Sequence, residues 1–96
     1  MTYELEFKKS ALKEWNKLGQ PIKDQFKKKL KERLENPHVP SAALTGAADL
    51  YKIKLRQLGY RLVYCVEDKT ITVTVIAVGK SNRNEVYDLA LSRMRK

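Results

Sequence analysis

The chain has 96 residues, 20 of them Lys or Arg against 11 Asp or Glu, for a formal net charge of +9. That length supports one domain and excludes an enzyme with a separate cofactor-binding half, while 43% hydrophobic residues suffice for a packed core. One cysteine and one histidine build neither an internal disulfide nor a zinc site of the Cys/His type, so no metal or cofactor is expected.

Residues 2–7 alternate Tyr3, Leu5 and Phe7 against Thr2, Glu4 and Glu6, the period of a half-buried strand. From Lys8 to Leu18 the apolar Ala11, Leu12, Trp15 and Leu18 recur every three or four residues, which predicts a helix with Gly19 at its C-cap. Pro21 suits the first turn of a second helix, whose Ile22, Phe26, Leu30 and Leu34 form one stripe until Asn36-Pro37 ends it. Residues 37–49, with Pro37, Pro40 and Gly46, read as an irregular connection tacked down by Leu44. Three strand-like runs follow, Leu50 to Arg56, Tyr60 to Glu67 and Thr70 to Val78, joined by residues 57–59 and by a tight turn at Asp68-Lys69. Glu85 to Met94 returns to helical spacing with Val86, Leu89, Ala90 and Met94. The expected fold class is α/β (α+β), a single domain over 1–96: an N-terminal strand, a helical hairpin packed on an antiparallel sheet, and a short C-terminal helix.

Register follows from the alternation, because a slip of one residue exchanges the faces of a strand. Tyr51, Ile53, Leu55, Tyr60, Leu62, Tyr64, Val66, Ile71, Val73, Val75 and Ala77 fall on one face, the core under the hairpin. The other, exposed face then carries Lys52, Lys54 and Arg56, beside Arg61, Val63 and Cys65, beside Thr72, Thr74, Ile76 and Val78. A solvated strand explains three such cations taken alone. Arg61 facing them changes the balance, since like charges across strands destabilise a sheet unless a polyanion neutralises them. Phosphate is the obvious anion, and the positive charge spread along the chain points to nucleic acid or an acidic protein rather than to a membrane surface.

Cleavage of RNA by its own 2′-OH needs a base, charge stabilisation at phosphorus and a proton for the departing 5′-oxygen. His38, between Pro37 and Pro40, reads as a connector residue and not as that base. A lysine serves if neighbouring cations lower its pKa, the effect that Lys52, Arg56 and Arg61 exert on Lys54. Cys65 lacks an adjacent histidine and reads as a small strand residue, and Trp15 as core.

The run Tyr51-Lys52-Ile53-Lys54-Leu55-Arg56, then Gly59-Tyr60-Arg61-Leu62-Val63-Tyr64, Val78-Gly79-Lys80 and Arg83-Asn84-Glu85-Val86-Tyr87 resembles the RelE toxins of bacterial toxin–antitoxin systems. Ala11-Leu12-Lys13-Glu14-Trp15 and Lys17-Leu18-Gly19 match as well, so the resemblance spans essentially the whole chain. It implies a metal-independent endoribonuclease, an mRNA interferase that enters the ribosomal A site, cuts messenger RNA to 2′,3′-cyclic phosphate and 5′-OH ends, and stops translation. It also implies that Lys54 is the general base, that Lys52 and Arg61 stabilise the transition state, and that Tyr87 stacks on or orients a base. Where close relatives carry an arginine directly after Gly-Lys this chain has Ser81, so Arg83 or Lys80 is left for the leaving-group role. Arg56 is a candidate RNA contact, and Lys27, Lys28 and Lys29 read as a solvated face or a contact with ribosomal RNA.

The implied partners are the ribosome, messenger RNA and a RelB-like antitoxin, with operator DNA reached only through the antitoxin complex. A chain start without a basic and apolar leader, and apolar runs short of the ~20 residues of a membrane span, make the cytoplasm the expected location. Three rival readings are a ParE-type gyrase-inhibiting toxin, a ribosome-independent RNase of the same fold and a non-catalytic basic nucleic-acid-binding module.

Overall fold

The computed structural model describes residues 2–80 and 85–94. Strand β1 (Glu4–Phe7) leads into helix α1 (Lys9–Asn16) and helix α2 (Gln20–Glu35); after a short 3-10 turn at Pro40–Ala42 come β2 (Leu50–Leu55), β3 (Tyr60–Glu67), β4 (Thr72–Lys80) and helix α3 (Glu85–Met94). The strands form one sheet in the order β1-β4-β3-β2. The meander β2-β3-β4 is antiparallel as expected. β1 adds to the free edge of β4 in parallel, Glu4 opposite Thr72 and Phe7 opposite Val75, so the sheet is mixed. Parallel neighbours need a long crossover, and α1, α2, β2 and β3 all lie between these two strands in sequence.

The hairpin covers one face as its apolar spacing predicts: Ala11, Trp15, Leu18, Phe26 and Leu30 pack on Ile53, Leu55, Leu62, Tyr64, Val73 and Val75. Phe7, Trp15 and Phe26 stack in a tilted series at 5.3 and 6.1 Å between ring centroids. Two hairpin expectations change. Leu12 is 43% exposed on the outer side of α1, and Gly19, with φ −68°, is the N-cap of α2 rather than a left-handed C-cap of α1. Pro21 occupies the first turn of α2, where its missing N–H has no partner to lose.

The faces of β4 also change. Val63 lies opposite Ala77 but Tyr64 opposite Val75, so Ile76 is an extra, bulged residue. Beyond it the alternation reverses: Val78 faces the hairpin core, whereas Ile76 and Ala77 face the other side. That second side is no bare sheet either. α3 lays Val86, Tyr87 and Ala90 over Val63, Cys65, Ile76 and Ala77, with Leu44 and Leu50 completing a second core.

Past the end of β1 the open edge of β4 is taken by side chains. Glu14 Oε1 accepts the Val78 N–H at 3.2 Å, and Arg93 donates to the Ile76 carbonyl at 2.7 Å. The two side chains also pair in parallel, Nη1 to Oε1 and Nη2 to Oε2, each at 3.0 Å. This partly buried clamp ties α3 to α1 across the bulge. Arg93→Ala leaves the carboxylate and a backbone carbonyl short of a donor, and we expect a loss of about 1–3 kcal/mol in urea unfolding, with Arg93→Lys recovering only part of it.

The Pro-rich connection is pinned from two sides. Tyr64 donates to the Pro37 carbonyl at 2.8 Å, and the His38 ring lies between Tyr51 Oη at 2.9 Å and Asp68 Oδ1 at 2.8 Å. Tyr3 donates to the same Asp68 oxygen at 2.6 Å. The Tyr3 hydroxyl and then His38 hold the Asp68 carboxyl below its usual range. A carboxyl lowered on folding stabilises above its unfolded pKa, so this tie is expected to weaken as pH falls through the folded value. Among the described residues no helix is long and apolar enough to cross a membrane.

Candidate active site

Lys52, Lys54 and Arg56 leave β2 and its end on the side toward α3, as their alternation with Ile53 and Leu55 requires. The turn from β2 to β3 closes with Gly59 donating to the Leu55 carbonyl at 2.9 Å, and Gly59 has φ +73°, a conformation that costs glycine little. This turn sets the register that puts Lys54 directly opposite Arg61. Three cations of one strand thus meet a fourth across the ladder. Among the described residues no carboxylate forms an ion pair with Lys52, Lys54 or Arg56.

The consequence is read at Lys54. Loss of hydration, followed by the charges of Lys52, Arg61 and Arg56, lowers its pKa below the ordinary lysine value. A lysine whose pKa is lowered is the member of the patch suited to take a proton. Lys52 and Arg61 flank it with donors for an anion.

α3 supplies the floor. Tyr87 is only 9% exposed, with Lys52 Nζ at 5.7 Å and Arg61 Cζ at 5.6 Å from its ring centroid. Its ring holds two cations by cation–π attraction. Burial raises the pKa of its hydroxyl, against the opposing charge of Arg61, and among the described residues that buried hydroxyl has no hydrogen-bond partner. Tyr87→Phe therefore keeps the ring and removes an unsatisfied group. We expect its urea midpoint at or slightly above the native one, whereas Tyr87→Ala costs about 3 kcal/mol through the cavity in the second core.

The remaining candidates separate by position. Lys29 shares a surface cleft with Lys54 and Arg56, whereas Lys27 and Lys28 are exposed on α2 and line none of the clefts that contain Lys54. Lys80 pairs with Tyr60 at the end of β4, one residue past the Gly79 that faces Arg61, so alternation starts its side chain on the opposite face. Ser81 and Arg83 lie outside the described residues. His38 has Tyr51 and Asp68 as partners and none of the cations. Two residues of the neighbourhood escaped the sequence reading: Asp88, which lines a cleft with Lys52 and Tyr87, and Arg33, which lines one with Lys52, Lys54 and Arg56. Nothing in a Lys- and Arg-rich helix marks Arg33 apart from its neighbours.

Comparison with known proteins gives consistent relatives. Residues 5–85 match the family described as the ParE toxin of type II toxin–antitoxin systems. The mRNA interferase toxin RelE of Escherichia coli strain K12 is 53% identical over 94 residues, 98% of this chain and 99% of that protein. A doubly substituted E. coli toxin RelE in the free state superposes with a TM-score of 0.89 at 52% identity, covering 98% of this chain and 99% of that one. The toxin of the intact E. coli RelBE toxin–antitoxin complex gives 0.81 at 54% identity, covering 84% and 99%.

Proposed function

Since this chain belongs to the RelE toxins within the ParE toxin family of type II toxin–antitoxin systems, we propose that it enters the ribosomal A site and cuts messenger RNA there. The observation that carries this reading is the gathering of Lys52, Lys54, Arg61 and Tyr87 on one patch, with the lysine opposite Arg61 lowered in pKa. Lys54 takes the 2′-OH proton. The 2′-oxygen then bonds to the adjacent phosphorus while the bond from phosphorus to the 5′-oxygen breaks, leaving a 2′,3′-cyclic phosphate and, after protonation, a 5′-OH. Lys52 and Arg61 neutralise the charge that builds on the non-bridging oxygens. Tyr87, buried beneath them, orients those two cations and meets the substrate at its rim.

The departing 5′-oxygen also needs its developing charge met. With Ser81 in place of the arginine of close relatives, and with Lys80 starting on the face opposite Arg61, the role of stabilising the departing oxygen passes to Arg83, or the rate falls by a factor of about 10 to 1,000. The ribosome positions the messenger RNA, a proximity effect that makes free RNA a poor substrate. The antitoxin partner is a RelB-like protein whose acidic segment covers the basic surface near α3, and the DNA contacts of operon repression come from the antitoxin. The site of action is the cytoplasm.

Expression of the chain without antitoxin tests this directly. Rapid arrest of protein synthesis with cut messages and intact DNA is the expected result. DNA damage with translation continuing would assign the chain to the gyrase-inhibiting type instead.

A further inference from the structure

Arg33 leaves the last turns of α2 and is held in place by its own fold. Its Nη1 donates to the Lys52 carbonyl at 3.2 Å and to the Tyr64 hydroxyl at 2.9 Å, and its Cζ lies 5.7 Å from the Tyr64 ring centroid. Tyr64 is itself anchored on Pro37. A guanidinium has five N–H donors, and among the described residues these two bonds use only those of Nη1, leaving Nε and Nη2 to serve a ligand. The side chain is partly buried, so its shape is set before any ligand arrives.

The cleft it lines is completed by Ser41 and Ala42 of the 3-10 turn and by Lys52, Lys54 and Arg56. Among the described residues, four cations and no carboxylate line one hollow beside the outer edge of β2. Like charges gathered in one hollow repel one another, and an anion bound there relieves that repulsion. The cleft shares Lys52 and Lys54 with the proposed catalytic patch, so an anion there lies one step along the same track.

We propose that this cleft is a second phosphodiester site, in which Arg33, Arg56 and the Ser41 hydroxyl grip an RNA backbone phosphate neighbouring the one that is cut. The inference rests on the ribonuclease reading and adds a binding residue from α2 that makes no bond to the reacting atoms. Arg33 is therefore a substrate-binding residue, acting on affinity and not on the chemical step.

The test measures binding of a single-stranded RNA dodecamer, fully 2′-O-methylated so that it cannot be cut, to the free protein at several salt concentrations. Arg33→Gln retains a side-chain amide for the Tyr64 hydroxyl, Ser41→Glu places a negative charge at the mouth without touching Arg33, and Lys69→Gln removes one charge at the far end of the sheet. Arg33→Gln and Ser41→Glu are each expected to weaken binding about five- to tenfold, with the slope of log affinity against log salt falling by about 0.7 for Arg33→Gln. Lys69→Gln is expected to leave affinity within about twofold. Native-like affinity and slope for Arg33→Gln and Ser41→Glu overturn the proposal, as does an equal loss in Lys69→Gln. Unchanged RNA binding with weakened binding of a polyglutamate peptide would make the cleft a protein-docking surface and also overturns it. Cleavage of ribosome-bound message by the native chain is scored in parallel. Weakened RNA binding with no native cleavage leaves the site standing while the ribonuclease reading fails, and native cleavage with unchanged binding does the reverse.

Discussion

Replacing Lys54 by alanine is expected to lower single-turnover cleavage of ribosome-bound messenger RNA about 10²- to 10⁴-fold, the range of a lost general base. Binding should change little, because Lys52, Arg56 and Arg61 still present their charge to the same surface. Lys54→Arg is the sharper control. It keeps the charge and reach, but a guanidinium stays protonated at every usable pH, so a base cannot be restored that way. Recovery of rate in Lys54→Arg would make position 54 an electrostatic contact and return the search for the base to another residue.

Arg61→Ala is expected to cost about 10²- to 10³-fold near neutral pH, because a preorganised cation facing the developing phosphorane charge is lost. A second effect adds to it. Arg61 is one of the charges that lower the Lys54 pKa, so removing it lets the Lys54 pKa rise and leaves less neutral amine at pH 7. The sign is definite: the rate of each protein climbs with pH until Lys54 is neutral, and the variant levels off at a higher pH than the native chain. The deficit of Arg61→Ala should therefore shrink as pH rises toward 10. A constant deficit across the profile would show that Arg61 stabilises charge without tuning its neighbour.

Much of this site was legible from spacing alone. The alternation in Tyr51 to Arg56 and Tyr60 to Val66, with three residues between the runs, already places Lys54 beside Arg61, because the hydrophobic set can face the core in only one register. The limits of α3 were equally plain, since Glu85 to Met94 carries its own apolar period. What stayed hidden is non-local. The bulge at Ile76 sits in an apolar run, Val73 to Val78, where every residue fits either face, so no polar residue reports the change of side. The parallel seat of β1 depends on a strand some 65 residues away, beyond any local pattern. The resemblance casts Tyr87 as a residue that stacks on or orients a base, and only the folded second core under α3 shows its hydroxyl buried. Arg33 becomes visible only when α2 is folded against β2.

The bulge also links fold to function. By turning Ile76 and Ala77 toward α3 it builds the apolar seat on which Tyr87 rests, and the Glu14–Arg93 pair closes over the backbone it leaves open. Holding Lys52 and Arg61 over that ring is a packing task, done far from the charges themselves.

On the proposed reading this chain cuts messenger RNA only on the ribosome, using a lysine where other ribonucleases use histidine. The most direct measurement maps cut sites and end groups on a defined message, bound to ribosomes with a vacant A site or free in solution, after incubation with the native chain. The expected result is a set of cuts within the A-site codon that end in 2′,3′-cyclic phosphate, appear only with ribosomes and vanish in Lys54→Ala. Equal cutting of the free message, or A-site cuts that persist in Lys54→Ala, would contradict it.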